Sequence, residues 1–494
     1  MEPIRAFAGK VNILGHILYL SVLALVALSV PHSALLQAQG AVFVLGAVGI
    51  WRYTWAATNF TRAIWYQRVA FPRMKRRVMA LHAARKTAPH AFFLVTSFKI
   101  EPEVTTRVYQ SIFLAAARAE GGASVVASVV EGADARLIRT IFAQMRVDMT
   151  GVNLMLDQIA GTGKRDALAK GLRMIAGQAP SWRDIVIFVD GDSCVPEDIV
   201  AQSAPWFSDT SIGALTTDEA AEITDAPTFR DWFDLRFTQR HVLMSSMALA
   251  GRVLTLTGRM SVFRADLATD PGFIAQVHSD HLQHWRLGRV NFLTGDDKST
   301  WFWLLKSGYR MLYLPDVRTL SMERQPLPGF VASATTLMVR WYGNMMRTNG
   351  RALALPATRI GAFTWWSLLD QRITIWTTLA GPLGILLTMA FTGPGILVAY
   401  LAWVMFTRYV FCLALALFRG SAFPISYPFL LYFGQIMGAA VKSFVLFRLD
   451  RQRWTRQASG ARRAGGASDR VSTLLHVLAL GWLTLGVTFF SGLL

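Results

Sequence analysis

Runs of about twenty apolar residues flank a long stretch that lacks them, and this alternation narrows the available folds more than any other feature. Residues 11–30 (VNILGHILYLSVLALVALSV) can cross the hydrocarbon core of a bilayer as a helix. A second run, 35–57, ends in Trp51, Tyr53 and Trp55, amphipathic rings that favour a membrane–water boundary. Apolar runs return at 373–392 and 395–418, joined by Gly393-Pro394 as a helical hairpin, and again at 423–447 and 473–493. Of 494 residues 53% are hydrophobic and 16% charged, too few charges for a water-soluble chain of this length.

The positive charge orients these spans. The net charge is +19, but the cations sit beside apolar runs, which points to cytoplasmic flanks of membrane helices and away from nucleic acid. Arg62, Arg68, Arg73, Lys75, Arg76, Arg77, Arg85 and Lys86 follow the second run directly. Arg5 and Lys10 precede the first run without a small-residue cleavage site, so it is expected to be a retained anchor. If 373–392, 395–418 and 423–447 all crossed, the basic stretch 448–463 would face outward, against the positive-inside tendency. The run 423–447 also carries Pro424, Pro428, Gly434, Gln435, Gly438 and Lys442, which suit an interfacial or re-entrant segment. The expected layout is two helices in 1–60, a basic linker 61–90, a catalytic domain 91–335, an interfacial segment 336–372, a hairpin 373–418, the re-entrant segment 423–447, a loop and linker 448–470, and a last helix 473–493. Five spans then leave the 91–335 domain and the 448–470 loop in the cytoplasm. Cys194 and Cys412 form neither a disulfide framework nor a zinc pattern, consistent with a reducing compartment.

The middle segment alternates strand-like and helix-like patterns. AFFLVTSF (91–98), ASVVASVVE (123–131) and DIVIFVDGD (184–192) read as buried strands; 104–120 and 164–176 read as helices. That alternation predicts an α/β domain with a mainly parallel sheet, whose ligands bind at the carboxyl ends of the strands. Asp190-Gly191-Asp192 sits at such an end. Two acids one residue apart can hold a divalent cation, Mg2+ or Mn2+, against a diphosphate; the same acids also serve as turn formers. Asp296-Asp297, in LTGDDKSTWFWLLKSGYR, opens a helix and fits either a cap or a base that removes a hydroxyl proton. Gly161-Thr162-Gly163-Lys164-Arg165 also opens a helix, as a phosphate site or as a solvated basic start. Arg340-Trp341, and Trp454-Thr455-Arg456 further on, read either as diphosphate and sugar contacts or as snorkelling pairs at the membrane surface.

The order of these motifs resembles the processive inverting β-glycosyltransferases, the group of cellulose, chitin and hyaluronan synthases. The wording of IAGTGKRDALA (159–169), LTLTGRMSVFRA (254–265), FLTGDDKSTWF (292–302), RWYGN (340–344) and KSFVLFRLDRQRWTRQ (442–457) is similar to the bacterial alginate polymerases within that group. The resemblance implies a polytopic α-helical inner-membrane protein with a cytoplasmic α/β domain of the GT-A type, and inverting transfer from GDP-mannuronate to a growing polysaccharide. It implies donor contacts at Thr96, Glu131, Lys164, Arg165, Asp190 and Arg340, a cation on Asp192 with Asp190, and Asp297 as general base. Trp341, Gly258 and Arg259 would face the acceptor. Trp454, Thr455 and Arg456 match the Trp-Gly-Thr-Arg gating element of hyaluronan synthases, one residue shorter. A PilZ-domain membrane partner that binds cyclic di-GMP, and an alginate export complex, are implied in the same way. Three positions depart from the wider group: Leu337 stands in place of the glutamine of Gln-x-x-Arg-Trp, Glu131-Gly132-Ala133 in place of Asp-Gly-Ser, and Thr257-Gly258-Arg259 in place of Ser-Gly-Pro. A synthase using a UDP-sugar is the alternative reading. An inactive scaffold or transporter is disfavoured by the intact acids at 190, 192 and 297 and by the large α/β segment.

Overall fold

The computed structural model describes residues 12–84, 87–224, 226–452 and 467–493. Its centre is an eight-stranded mixed sheet with strand order β3-β2-β1-β4-β7-β6-β10-β5. The strands are β1 (Ala91–Thr96), β2 (Ala123–Val129), β3 (Val152–Gln158), β4 (Ile185–Asp190), β5 (Ser193–Cys194), β6 (Ile212–Glu222), β7 (Met260–Arg264) and β10 (Arg310–Met322). A small hairpin, β8 (His281–His284) and β9 (Gly288–Asn291), lies apart. Strands β1, β2, β3 and β4 run parallel; β7 enters antiparallel between β4 and β6. Ala91 through Val95 are buried without alternation, as a central parallel strand covered on both faces requires. The helices Pro102–Ala117 and Lys164–Ala176 pack Val108, Ile112, Leu168 and Leu172 into the same core.

Register fixes where the site falls. Thr96 pairs with both Ser128 and Asp190, so three carboxyl ends stop in one row. β7 begins at Met260, opposite Val189, which brings the loop before it alongside Asp190. There the Asp190 N–H donates to the Arg259 carbonyl at 3.0 Å.

The stretch expected as a basic linker is helical as far as Ala83: Gln39–Trp65 runs through a π-helical turn into Phe71–Ala83. Tyr66 is fully buried and donates to the Tyr313 carbonyl at 2.7 Å, and Phe71 stacks on Trp206 at 5.2 Å. These contacts moor the lead-in helix to the sheet. Past the domain come Phe330–Leu353, Ala362–Thr392, Gly395–Arg419, Tyr427–Leu446 and Ala467–Phe490. The last four are long and apolar enough to cross a membrane; Ile13–Leu28 is a shorter apolar helix. Gly393, at φ +88°, makes the break between two of them. The protein is therefore membrane-associated, with an α/β domain built into a helical region.

Candidate active site

One pocket opens at the row of strand ends, and Thr96, Lys164, Asp190, Gly258, Asp296 and Asp297 line it. The Asp-Gly-Asp turn leaves β4 in a tight space. The Gly191 N–H donates to the Thr96 carbonyl at 3.0 Å, and a Cβ on Gly191 would stand 2.5 Å from the Ser97 hydroxyl. Only glycine fits between the two acids. Gly258 is less confined: a Cβ there would make ordinary contact, 3.4 Å from Asp190 Oδ2 and 3.5 Å from Lys164 Nζ.

Lys164 is the hub. Its ammonium lies 2.6 Å from Asp190 Oδ1 and 3.0 Å from Asp296 Oδ2, joining two carboxylates more than a hundred residues apart in sequence. Asp296 and Asp297 open the helix Asp296–Ser307 behind Gly295; its φ of +86° favours glycine, and a Cβ there would stand 3.0 Å from the Asn344 side chain. Their environments differ. Burial opposes charge on Asp296, but Lys164 and Arg165 outweigh it and hold its carboxyl below the ordinary range. Burial and then the charge of Asp296 raise the carboxyl of Asp297. Burial also raises Asp190, against the pull of Lys164 and together with the charge of Asp192. Lys298, beside the pair, is lowered by burial to about 8 and donates to the Leu254 carbonyl at 3.0 Å.

Among the described residues, the others singled out in the sequence do not line this pocket. Arg165 turns away from Lys164 into the protein and donates to the Val277 carbonyl at 3.0 Å, the Thr294 carbonyl at 3.2 Å and Ser299 Oγ at 2.9 Å. It braces the Thr294-Gly295-Asp296-Asp297 turn. The guanidinium of Arg259 is held by Glu323 at 2.5 Å and by Glu219 at 3.4 Å, so only its carbonyl reaches Asp190. Asp192 is half-buried, within electrostatic reach of Asp190 and Arg259. Glu131 is exposed at the start of the helix Gly132–Ala143. Arg340 and Trp341 lie half-buried on Phe330–Leu353, where Trp341 stacks on Trp232 at 5.8 Å. Trp454, Thr455 and Arg456 fall outside the described residues.

Two further groups hold the Thr294-Gly295-Asp296-Asp297 turn, and no motif marks their role. Asn344 accepts from Thr294 Oγ1 at 2.8 Å and from Arg347 at 2.5 Å. Gln452 accepts from the Leu293 N–H at 2.9 Å and donates to the Asn291 carbonyl at 2.7 Å. Asn344 sits inside the quoted RWYGN and was within reach of motif reading; Gln452 offers no local pattern.

The glycosyltransferase-like family 2 pattern matches residues 89–344, from just before β1 to Asn344. The glycosyltransferase alg8 of Pseudomonas syringae pv. tomato is 43% identical over 451 residues, 91% of each chain. The glycosyltransferase alg8 of Azotobacter vinelandii is 41% identical over 478 residues, 92% of each. Among solved structures, a Pyrobaculum calidifontis mannosyltransferase in complex with GDP-Man and Mn2+ aligns at TM-score 0.42 and 18% identity, over 78% of this chain and 98% of that one. With a GT-A-type sheet, acids at its strand ends and relatives matched almost end to end, the chain belongs to glycosyltransferase family 2, in the group of the alg8 glycosyltransferases.

Proposed function

We propose that the protein is a processive inverting glycosyltransferase that polymerises mannuronate from GDP-mannuronate into polymannuronate. The observation that carries this reading is the split pair Asp296/Asp297 at the pocket, with Lys164 tied to Asp296 and Asp190. Neighbouring acids whose environments separate their pKa values take different roles. Asp296 stays ionised and anchors Lys164. Asp297, raised and free of that ion pair, is the base. It accepts the proton of an acceptor hydroxyl; the oxygen then bonds the anomeric carbon from the face opposite the diphosphate, and the sugar–phosphate bond breaks to release GDP. Attack from the opposite face inverts the configuration.

Asp190 and Asp192 fit a divalent cation as a partial ligand set. The charge of Asp192 acts on Asp190, so the two carboxylates lie near one another. Carboxylate oxygens suit a hard cation such as Mg2+ or Mn2+. When bound, the cation offsets charge on the leaving diphosphate. Lys164 adds a positive charge at the same place, with Gly258 beside it in the pocket lining. Glu131 and Thr96 border the nucleotide, with Arg340 toward the diphosphate; Trp341 and Arg259 belong to the acceptor side. In this reading the catalytic domain faces the cytoplasm from the inner membrane, and a PilZ-domain cyclic di-GMP-binding partner and an export complex act with it.

The test is nucleotide preference. The purified protein should bind GDP at least about tenfold more tightly than UDP, with Mn2+ or Mg2+ strengthening both; a factor of ten is about 1.4 kcal/mol. Preference for UDP would favour a synthase using a UDP-sugar.

A further inference from the structure

Charge inside the helical region is lopsided. The helices Gln39–Trp65, Ala362–Thr392, Gly395–Arg419 and Tyr427–Leu446 carry Arg52, Arg62, Arg372, Arg408, Arg419 and Lys442, but a single acid, Asp370. Arg52 takes Asp370 at 2.6 Å, and Arg419 reaches out of the helices to Asp218 at 3.0 Å. Arg408 rests on neutral groups, donating to Gln435 at 2.9 Å and to the Tyr53 hydroxyl at 3.4 Å. The Lys442 ammonium stands 4.9 Å from the centre of the Tyr342 ring. Neither Arg408 nor Lys442 makes an ion pair with a carboxylate among the described residues. A cation among apolar helices without a counter-ion is costly, and function is the usual reason it is kept.

These groups are contiguous. Arg236, on the helix Pro227–Ala248, lies 4.7 Å over Trp341 and donates to the Tyr342 hydroxyl at 3.3 Å. Lys442 shares the Tyr342 ring, and Gly438, one turn earlier, sits so close that a Cβ would stand 3.1 Å from the Tyr342 hydroxyl. Gln435 lies seven residues before Lys442, on the same helix face and about 10 Å along the axis at the usual helical rise. Arg236, Tyr342, Gln435, Lys442 and Arg408 are all half-buried. The row starts at Trp341, one turn from Asn344, which holds the catalytic turn.

We propose that Arg236, Lys442 and Arg408, with the ring faces of Trp341 and Tyr342 among them, form a lane that binds the carboxylates of a uronate chain as it leaves the catalytic pocket for the helical region. This rests on the polymannuronate reading, since that chain carries one carboxylate on every sugar. The carboxylates supply the counter-charge the helices lack, and arginine meets a carboxylate with two parallel hydrogen bonds. Because successive sugars are alike, each step forward replaces one carboxylate by the next.

Inverted membrane vesicles containing the full chain and fed GDP-mannuronate test the lane. Lys442→Arg keeps the charge, Lys442→Met keeps the stem and removes it, and Lys442→Glu reverses it. GDP affinity should match wild type in all three. Lumenal polymer protected from added mannuronate lyase should persist in Lys442→Arg and fall at least about tenfold in Lys442→Met, the loss expected for about 1.4 kcal/mol of binding. It should fall further in Lys442→Glu, and Arg408→Met should fall with Lys442→Met. Undiminished lumenal polymer in Lys442→Met and Lys442→Glu overturns the proposal. So does a parallel loss of GDP affinity, which makes Lys442 a structural support. If the anion were a lipid headgroup, wild-type yield would depend on anionic lipid and Lys442→Met would not; that result also overturns it. Wild-type vesicles that make no polymer from GDP-mannuronate sink the underlying reading and the lane together.

Discussion

Asp296 and Asp297 are neighbours in sequence, but Lys164 reaches only one of them. Asp297 is consequently the acid whose removal should stop chemistry without emptying the pocket. Asp297→Asn is nearly isosteric and can still cap the helix, so folding and GDP affinity should persist while turnover falls by about 10²–10⁴-fold, the usual contribution of a positioned base. A role in capping alone predicts lower thermal stability and retained turnover. The raised carboxyl of Asp297 also sets a sign for pH. A base must be ionised, so kcat/KM should fall as pH drops through a value above the ordinary aspartate pKa of about 3.9. An acid limb at or below that value would contradict the assignment. Asp192→Asn should abolish activity and weaken cation dependence while the protein still inserts; near-normal polymerisation would reject the cation reading. Much of this site is legible in the sequence because strand ends and helix starts are local features. The direction of a side chain is not. Lys164 and Arg165 are adjacent cations, and consecutive helical residues point about 100° apart, so one enters the pocket and the other braces Thr294. Nor does local sequence show that Lys164 meets Asp296.

Strands β1, β2 and β4 are uninterrupted apolar runs and can be recognised by eye, whereas β6 and β10 hide behind polar residues. Thr216, Thr217, Asp218 and Glu219 lie in the sheet interior, and no hydrophobic period marks them. They are buried because they have partners from distant elements. Asp218 receives Arg419 with two bonds of 3.0 Å, Arg318 at 2.9 Å and the Tyr313 hydroxyl at 3.1 Å. Burial opposes its charge, but His241 and Arg419 outweigh it, and its carboxyl lies far below the ordinary range. Arg419 ends the helix Gly395–Arg419, so this pair fastens a candidate membrane helix to β6. Arg419→Met should therefore lower the thermal stability of the solubilised protein. The loss should stay below the about 3–5 kcal/mol seen when a buried charge is left alone, because Arg318 remains on Asp218. An unchanged melting temperature would show that the helix is held by apolar packing. Since the Asp218 carboxyl is depressed, its contribution is complete above the unfolded aspartate value of about 3.9 and is lost as pH falls toward its lower folded value.

At the scale of the whole molecule, the helices were easy to see and their placement was not. Length and apolarity mark Tyr427–Leu446 as able to cross a membrane, while its internal glycines, Lys442 and the basic stretch after it argue for a re-entrant path. A reporter fused after Gly465 should read cytoplasm and one after Leu494 periplasm; a periplasmic signal at Gly465 would mean that the segment spans. Either layout leaves a chain-building domain joined to the helices through Phe330–Leu353, whose Asn344 holds the Thr294–Asp297 turn and whose Trp341 and Tyr342 begin the cationic row. The activity of this assembly is tested most directly by its product. Purified protein given GDP-mannuronate and Mg2+ or Mn2+ should release GDP and form a long uronate polymer that mannuronate lyase digests, and Asp297→Asn should form none. GDP release without polymer, polymer from UDP-sugars alone, or full-length polymer from Asp297→Asn would contradict the account.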